Sequence, residues 1–245
     1  MSKDQQVAFI SGANRGIGLE TARELGKQGI TVVIGARSGE KGAEAAALLR
    51  KEGYDAESVI YDAARPGSDR VVYDYLAAKH GRLDILVNNA GELREALFGS
   101  SLPALSASDL RATFDTNFFA VVALTQTLLP LLQKSKAGRI VNVSSVLGSL
   151  AAHTAPESQI AGAKAFAYNA SKTALNAFTV HLAYALRETA IKVNSAHPGW
   201  VKTELGGAAA PMELADGGKT SARLATLDAS GANGGFFHMS DTLPW

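Results

Sequence analysis

The chain contains no cysteine, which excludes disulfides, iron–sulfur clusters and thiolate catalysis. Neither sign of charge is in excess. Lys+Arg 24 against Asp+Glu 23 leaves a net charge of +1, so no nucleic-acid partner is expected. Long hydrophobic runs are also missing. The longest unbroken apolar stretch, Phe118 to Leu124, falls far short of the roughly 20 residues a bilayer span needs, and no membrane partner is expected. The five histidines, His80, His153, His181, His197 and His238, show no metal-ligand spacing, so no metal is expected either. The opening Met1-Ser2-Lys3-Asp4-Gln5-Gln6 is polar and leads directly into a strand-like run, which argues against a signal peptide and for a cytoplasmic protein. There is no linker, no repeat of solenoid length and no low-complexity tract.

What remains is apolar substance in quantity. With 47% of 245 residues hydrophobic, residues 1–245 suffice for one large α/β core and read as a single domain. Short β-branched runs alternate with longer amphipathic stretches, the pattern of βα units on a parallel sheet. Strands are expected at Val7 to Ser11, Thr31 to Ala36, Ala56 to Tyr61, Ile85 to Asn88, Ile140 to Ser144, Lys192 to Ala196 and Gly235 to Met239. Helices are expected at about Gly16 to Gln28, Glu40 to Glu52, Ser68 to Lys79, Ala107 to Gln133, Ala163 to Thr189 and Glu213 to Thr226. Ser106 with Asp109 makes a capping box, while Pro130 should kink or end its helix. The architecture is thus a doubly wound, Rossmann-type α/β fold, a seven-stranded parallel sheet with helices on both faces.

Between the first strand and helix stands Gly12-Ala13-Asn14-Arg15-Gly16-Ile17-Gly18, where a dinucleotide pyrophosphate can sit. Gly12 allows the tight exit from the strand, Gly16 lets the backbone approach the phosphates, and Gly18 lets the helix pack on the sheet. The second strand ends Ala36-Arg37-Ser38 without the carboxylate an NAD-selective site places there. Arg37, helped by Arg15, could clamp a 2′-phosphate, which points to NADP(H).

Tyr168 and Lys172 lie four residues apart, on one face of one helix. A phenol titrates near pH ~10, and a neighbouring ammonium brings it toward the working range, which suits a proton donor. A nucleotide turn and a tuned phenol together indicate redox chemistry on a carbonyl or alcohol.

These motifs, with Asp62-Ala63, Asn88-Asn89-Ala90-Gly91, Asn117, Ser144-Ser145 and Pro198-Gly199, make the chain resemble a short-chain dehydrogenase/reductase over nearly its whole length. The resemblance implies a catalytic tetrad of Asn117, Ser145, Tyr168 and Lys172, with Ser144 structural. It further implies cofactor contacts from Gly12, Asn14, Arg15, Gly16, Ile17, Gly18, Arg37, Asp62, Ala63, Asn89, Ala90, Gly91, Tyr168, Lys172, Pro198, Gly199, Val201 and Thr203. Substrate would meet Ser145, Tyr168 and Trp200. On this pattern residues up to about 145 hold the cofactor, and residues from about 146 supply catalysis and the substrate pocket. Hydride would go to a carbonyl carbon, Tyr168 would protonate the oxygen, Ser145 would hydrogen-bond it, and Asn117 would hold a water that feeds protons to Lys172.

Within the family the chain is most similar to the monomeric carbonyl reductases, on His197-Pro198-Gly199-Trp200-Val201-Lys202-Thr203-Glu204, the ending Gly234 to Met239, and Asn14-Arg15. The interval from Ser145 to Tyr168 is longer than in compact members and shorter than in the fullest carbonyl reductases. Its extra residues, Ala151 to Lys164, would cover the tyrosine-bearing helix, Ile160 packing inward while His153, Glu157 and Gln159 face water. A monomer follows, with a dimer as the alternative. Gly206 to Pro211 would form a flexible lid, and Trp200 an apolar wall. Two other functions share the scaffold: a non-catalytic NADP redox sensor, which typically loses the tyrosine or lysine, and a sugar-nucleotide epimerase or dehydratase, usually a longer chain.

Overall fold

Val7–Ser11 and Thr31–Ala36 are buried at every position, as strands covered on both faces must be, and this explains their unbroken apolar character. In the computed structural model, which describes residues 5–98 and 102–245, they are β1 and β2. The polar opening at residues 1–4 lies outside the described residues. The chain continues through α1 (Gly16–Gly26, between β1 and β2), α2 (Gly39–Lys51), β3 (Ala56–Ile60), α3 (Ser68–Lys79) and β4 (Ile85–Asn88). It proceeds through α4 (Ala107–Phe114), a π turn (Asp115–Phe119), α5 (Ala120–Leu132), β5 (Arg139–Val143), α6 (Leu150–Thr154) and α7 (Phe166–Ala185). The last elements are β6 (Lys192–Ala196), α8 (Lys219–Ala225), β7 (Phe236–His238) and β8 (Asp241–Thr242).

The strands form one sheet in the order β3-β2-β1-β4-β5-β6-β7-β8. The first seven are parallel, and β8 returns antiparallel on β7 through the pairs Phe237↔Thr242 and His238↔Asp241. The expected seven-stranded parallel sheet is therefore extended by a two-residue strand, too short and too exposed to leave an apolar pattern. Alternate residues of β1 feed two cores. Ala8 and Ile10 join Leu25, Leu49 and Ala222 on one face, while Val7 and Phe9 join Leu76, Leu128 and Leu131 on the other. A buried polar row also crosses the sheet. Asn88 donates to Asn142 Oδ1 (2.8 Å) and Thr125 Oγ1 (3.0 Å), and Asn142 donates to Thr179 Oγ1 (2.8 Å), tying β4 and β5 to α5 and α7.

Several helices differ from expectation. The stretch 107–133 is not one helix: the π turn interrupts it at Asn117, a widening that often marks functional sites. Ala107–Leu132 still forms 26 helical residues apolar enough by composition to cross a bilayer, longer than the unbroken run suggests, but here it packs on α3 and α7. Pro130 does not stop α5, which runs two residues on to the buried Leu132; the carbonyl its missing N–H would have paired belongs to exposed Gln126. The last expected helix splits into a 3₁₀ turn (Leu214–Asp216) and α8, and Gly218 between them lies so close to α1 that a Cβ would stand 2.4 Å from Thr21 N. Ser106 caps α4 through Asp109 N (3.0 Å), with Asp109 returning to the Ser106 hydroxyl (2.7 Å).

Candidate active site

Strand order reverses between β1 and β4, and the crevice outside their carboxyl ends is where an open α/β sheet binds ligands. The glycine turn opens there. Gly12 (φ 65°) and Gly16 (φ 60°) take the left-handed conformation the turn requires, and a Cβ on Gly16 would meet nothing within 4 Å, so its backbone stays open to an approaching phosphate. Gly18 has the packing role: a Cβ there would strike Asn89 Nδ2 at 2.5 Å. Asn89 in turn fastens the turn by donating from Nδ2 to Ser11 O (2.8 Å) and Gly12 O (3.2 Å), while the Asn89 and Ala90 amides both donate to Ser11 Oγ at 3.0 Å.

Gly12, Asn14, Arg15, Arg37, Asp62, Ala63, Asn89, Ala90 and Gly91 line one trough together. Arg15 and Arg37 are exposed on it, and Arg15 is paired with Glu204 across the rim. Gly16 and Gly18 are not among the residues that line the trough itself. The residue set suits a dinucleotide phosphate: an open left-handed glycine, Gly16, at a helix start, two arginines, and no carboxylate directly after β2.

Through Asn89, Gly91, Leu93, Leu97 and Leu205 the trough continues into a second cleft. This one holds Ile17, Ser145, Tyr168, Lys172, Pro198, Gly199, Trp200, Val201 and Thr203. Ser145 heads the 3₁₀ turn Val146–Gly148 and accepts from Leu147 N (3.2 Å), which orients its hydroxyl. Tyr168 and Lys172 are buried in the first half of α7. Lys172 Nζ donates to Val143 O (2.8 Å) and lies 5.6 Å from the centre of the Tyr168 ring. Burial brings the Lys172 ammonium down to about 8. The Tyr168 phenol is pushed up to about 12 by burial, offset in part by its hydrogen bond with Ser145. The expected lowering of the phenol by Lys172 is thus not met in this arrangement, where burial sets the direction of the shift.

Asn117 lines neither cleft; it is fully buried in the π turn. Its Oδ1 accepts from Glu92 N (2.8 Å), and its Nδ2 donates to Glu92 O (2.9 Å) and Ser171 Oγ (3.1 Å). Both amide protons are committed, which leaves one acceptor position on Oδ1 where a water could bind. A Cβ on Gly91 would be 3.3 Å from that Oδ1 and 3.5 Å from Lys172 Nζ, so the two groups converge on one point.

The segment at 151–164 departs from expectation. Gln159, Ile160 and Ala163 line the catalytic cleft, and His153 turns inward, its Nε2 within 3.0 Å of Leu147 O. The segment closes the cleft and does not cover the far half of α7, where Val180 (41%) and Tyr184 (68%) remain exposed. The expected lid is stitched down: Trp200 Nε1 donates to Gly206 O (2.7 Å), and Gly207 N to Thr203 O (2.9 Å). Sequence reasoning also missed the loop after Gly91, whose Leu93, Leu97 and Phe98 wall the cleft and whose Glu95 reaches Tyr168 N. The one available signal was Ala165, an α7 N-cap with no side-chain acceptor, which requires a partner from elsewhere.

Residues 6–214 match the family model for short chain dehydrogenase. The chain is 31% identical to short-chain dehydrogenase/reductase 1 of Saponaria officinalis, with 98% of this chain and 96% of that protein covered. It is 30% identical to carbonyl reductase [NADPH] 1 of Mus musculus, with both chains covered in full (100% and 100%). Among solved structures, the NADPH-bound carbonyl reductase from chicken fatty liver superposes with a TM-score of 0.85 at 26% identity, over 98% of this chain and 99% of that one. With the nucleotide turn, the Asn-Asn-Ala-Gly staple and the Ser-Tyr-Lys cluster assembled at one sheet edge, the chain belongs to the short-chain dehydrogenase/reductase family of oxidoreductases.

Proposed function

We propose that the protein is an NADP(H)-dependent carbonyl reductase that converts an aldehyde or ketone to the alcohol. The observation that carries this reading is the meeting of Ser145, Tyr168 and Lys172 in an apolar cleft that opens into the arginine-rimmed trough. The Gly12–Gly18 turn, Asp62-Ala63, Asn89 to Gly91 and Pro198 to Thr203 would hold the cofactor, and Arg37 with Arg15, now paired with Glu204, would take its 2′-phosphate. When bound, the cofactor supplies the hydride.

The chain's own residues manage the oxygen and the proton. The Tyr168 phenol, raised further by burial, is protonated at neutrality, the state required for donation to the carbonyl oxygen. Ser145 donates to the same oxygen as negative charge grows on it. The phenolate left behind is stabilised by the Lys172 ammonium beside the ring, and a water on Asn117 Oδ1 returns the proton by way of Lys172.

Among the described residues the cleft wall, formed by Leu93, Leu97, Phe98, Leu147, Ile160 and Trp200, carries no carboxylate, and its one cation, Lys172, is buried, donates to Val143 O and serves the Tyr168 phenolate. The substrate is accordingly a neutral, apolar carbonyl compound, since a charged one would lose its hydration without gaining a partner. The active unit is proposed to be a monomer, with a dimer through the exposed α7 face as the alternative, to be checked by light scattering. Its compartment is the cytoplasm, to be checked by fractionation. The deciding experiment is an NADPH-oxidation screen across aldehydes, diketones, quinones and cyclic ketones; NADPH binding with no turnover of any of them would sink the reductase reading in favour of the sensor.

A further inference from the structure

The helix that carries Tyr168 and Lys172 begins without a cap of its own. Its N-cap residue, Ala165, has no side chain able to accept a hydrogen bond, so the amides of the first turn of α7 need an acceptor from another part of the chain. The Tyr168 amide finds one in Glu95, whose Oε2 lies 3.1 Å away although 73 residues separate the two in sequence. This is the one hydrogen bond the Glu95 side chain makes among the described residues. A carboxylate there also meets the positive end of the helix dipole, which strengthens the bond.

The same loop is held at a second point. Glu92 exchanges its backbone N–H and C=O with the Asn117 side chain at 2.8 and 2.9 Å, and its carboxylate accepts from Thr116 Oγ1 at 3.2 Å. One short loop is therefore pinned at Glu92 to the π turn and at Glu95 to the first turn of α7. Between and beyond these pins it lays Leu93 and Leu97 along the cleft.

We propose that Glu95 is the positioning residue for the proton donor: by capping α7 at Tyr168 it fixes where the phenol stands relative to Ser145 and holds the cleft wall to the catalytic helix. The proposal rests on the reading of Tyr168 as proton donor. Its mechanical part, the cap, stands on geometry alone and can be measured separately. Without the acceptor, the Tyr168 amide is left unpaired in a partly buried place and the turn loosens. Displacement of a reacting group by about 1 Å costs on the order of 10²-fold in rate, and loss of a cap shifts a local equilibrium by roughly fivefold.

The test compares wild type, Glu95→Ala and Glu95→Gln in the full-length protein, with steady-state kinetics on NADPH and diacetyl and with hydrogen exchange at the Tyr168 amide. Glutamine keeps an acceptor oxygen and loses the charge, so Glu95→Gln should retain most of the turnover. Glu95→Ala should lose at least about tenfold in kcat, and its Tyr168 amide should exchange about fivefold or more faster. Equal damage in both variants, or unchanged Tyr168 exchange in Glu95→Ala, overturns the proposal. Should Glu95→Ala fail to fold, Glu95→Gln and the amide protection of the wild type still decide: an unprotected Tyr168 amide in the wild type is fatal. If the cap is confirmed by exchange while Tyr168→Phe remains active, the proton-donor reading fails and the mechanical part survives.

Discussion

Gly148 ends the 3₁₀ turn that follows Ser145, and it lies directly against the catalytic helix. A methyl group at this position would stand 2.7 Å from the Lys172 carbonyl carbon, 2.8 Å from Lys172 Cβ and 3.0 Å from the Lys172 carbonyl oxygen. None of these atoms is the free end of a flexible side chain. All three belong to the buried middle of α7, and the turn itself is bonded to that helix by Thr173 Oγ1, which donates to Gly148 O at 2.9 Å. Carbon atoms in contact prefer about 3.5–4.0 Å, so Gly148→Ala must push the turn and helix apart by roughly 1 Å. Overpacking of this kind costs about 1–3 kcal/mol, which in a chain of this size lowers Tm by roughly 2–12 °C. The functional cost should be larger in proportion. Ser145 accepts from Gly148 N at 2.8 Å and moves with the turn, while Tyr168 and Lys172 move with the helix, so the three groups lose their common geometry. A drop in kcat/KM on the order of 10²-fold is expected, with the melt followed by circular dichroism and the rate by NADPH oxidation. Gly148 has no positive φ among the described glycines, so any effect is steric and not conformational. A variant that melts within about one degree of wild type and turns over normally would show that the turn yields freely and that the contact does not position the site.

Much of this site was legible because its residues act through local spacing. Tyr168 and Lys172 share a helix face wherever that helix goes, and Gly12 to Gly18 must turn between a strand and a helix in any arrangement of the sheet. The fully buried strands announced the parallel sheet by their unbroken apolar runs. What remained hidden depends on contacts between distant segments. Glu95 has no periodic signature, and only the folded chain brings it to Tyr168 N. The π turn at Asn117 is invisible to a hydrophobic pattern, because one extra residue in a turn shifts the apolar face too little to break the period. The direction of the Tyr168 pKa shift was hidden for a related reason: it is set by burial, which a sequence does not state. The segment at 151–164 shows the same limit, since composition could mark its apolar residues but not that Ile160 would enter the cleft instead of covering α7.

Replacing Arg37 with Asp should remove a cationic partner of the 2′-phosphate and move the NADPH-to-NADH preference in kcat/KM toward NADH; an unchanged ratio would refute the clamp. Tyr168→Phe should abolish nearly all turnover with NADPH affinity retained, measured by titration calorimetry, and near-normal turnover would remove the proton-donor role. Trp200→Ala should raise KM for bulky apolar ketones more than for small ones, and an unaltered substrate profile would take Trp200 out of the pocket. The last prediction concerns pH. Burial brings Lys172 in the folded protein down to about 8 from an ordinary 10.5, so between those values the unfolded chain binds more protons and stability must rise with pH. The penalty of burying the ammonium is at full size below pH 8 and fades above it. Tyr168 has the opposite sign: raised to about 12, it keeps its proton between pH 10 and 12 while the unfolded chain loses it, so its contribution is present below 10 and declines above. Urea unfolding of wild type and Lys172→Met at about pH 7 and about pH 10 isolates the lysine. Wild type should gain roughly 2–3 kcal/mol on the variant across that interval. The hydrogen bond from Lys172 to Val143 O is lost in the variant at both values, and while the amine keeps donating it that loss is a fixed offset. A difference that stays constant with pH would therefore mean that the Lys172 ammonium is not destabilised where it lies, and that water reaches it in the cleft.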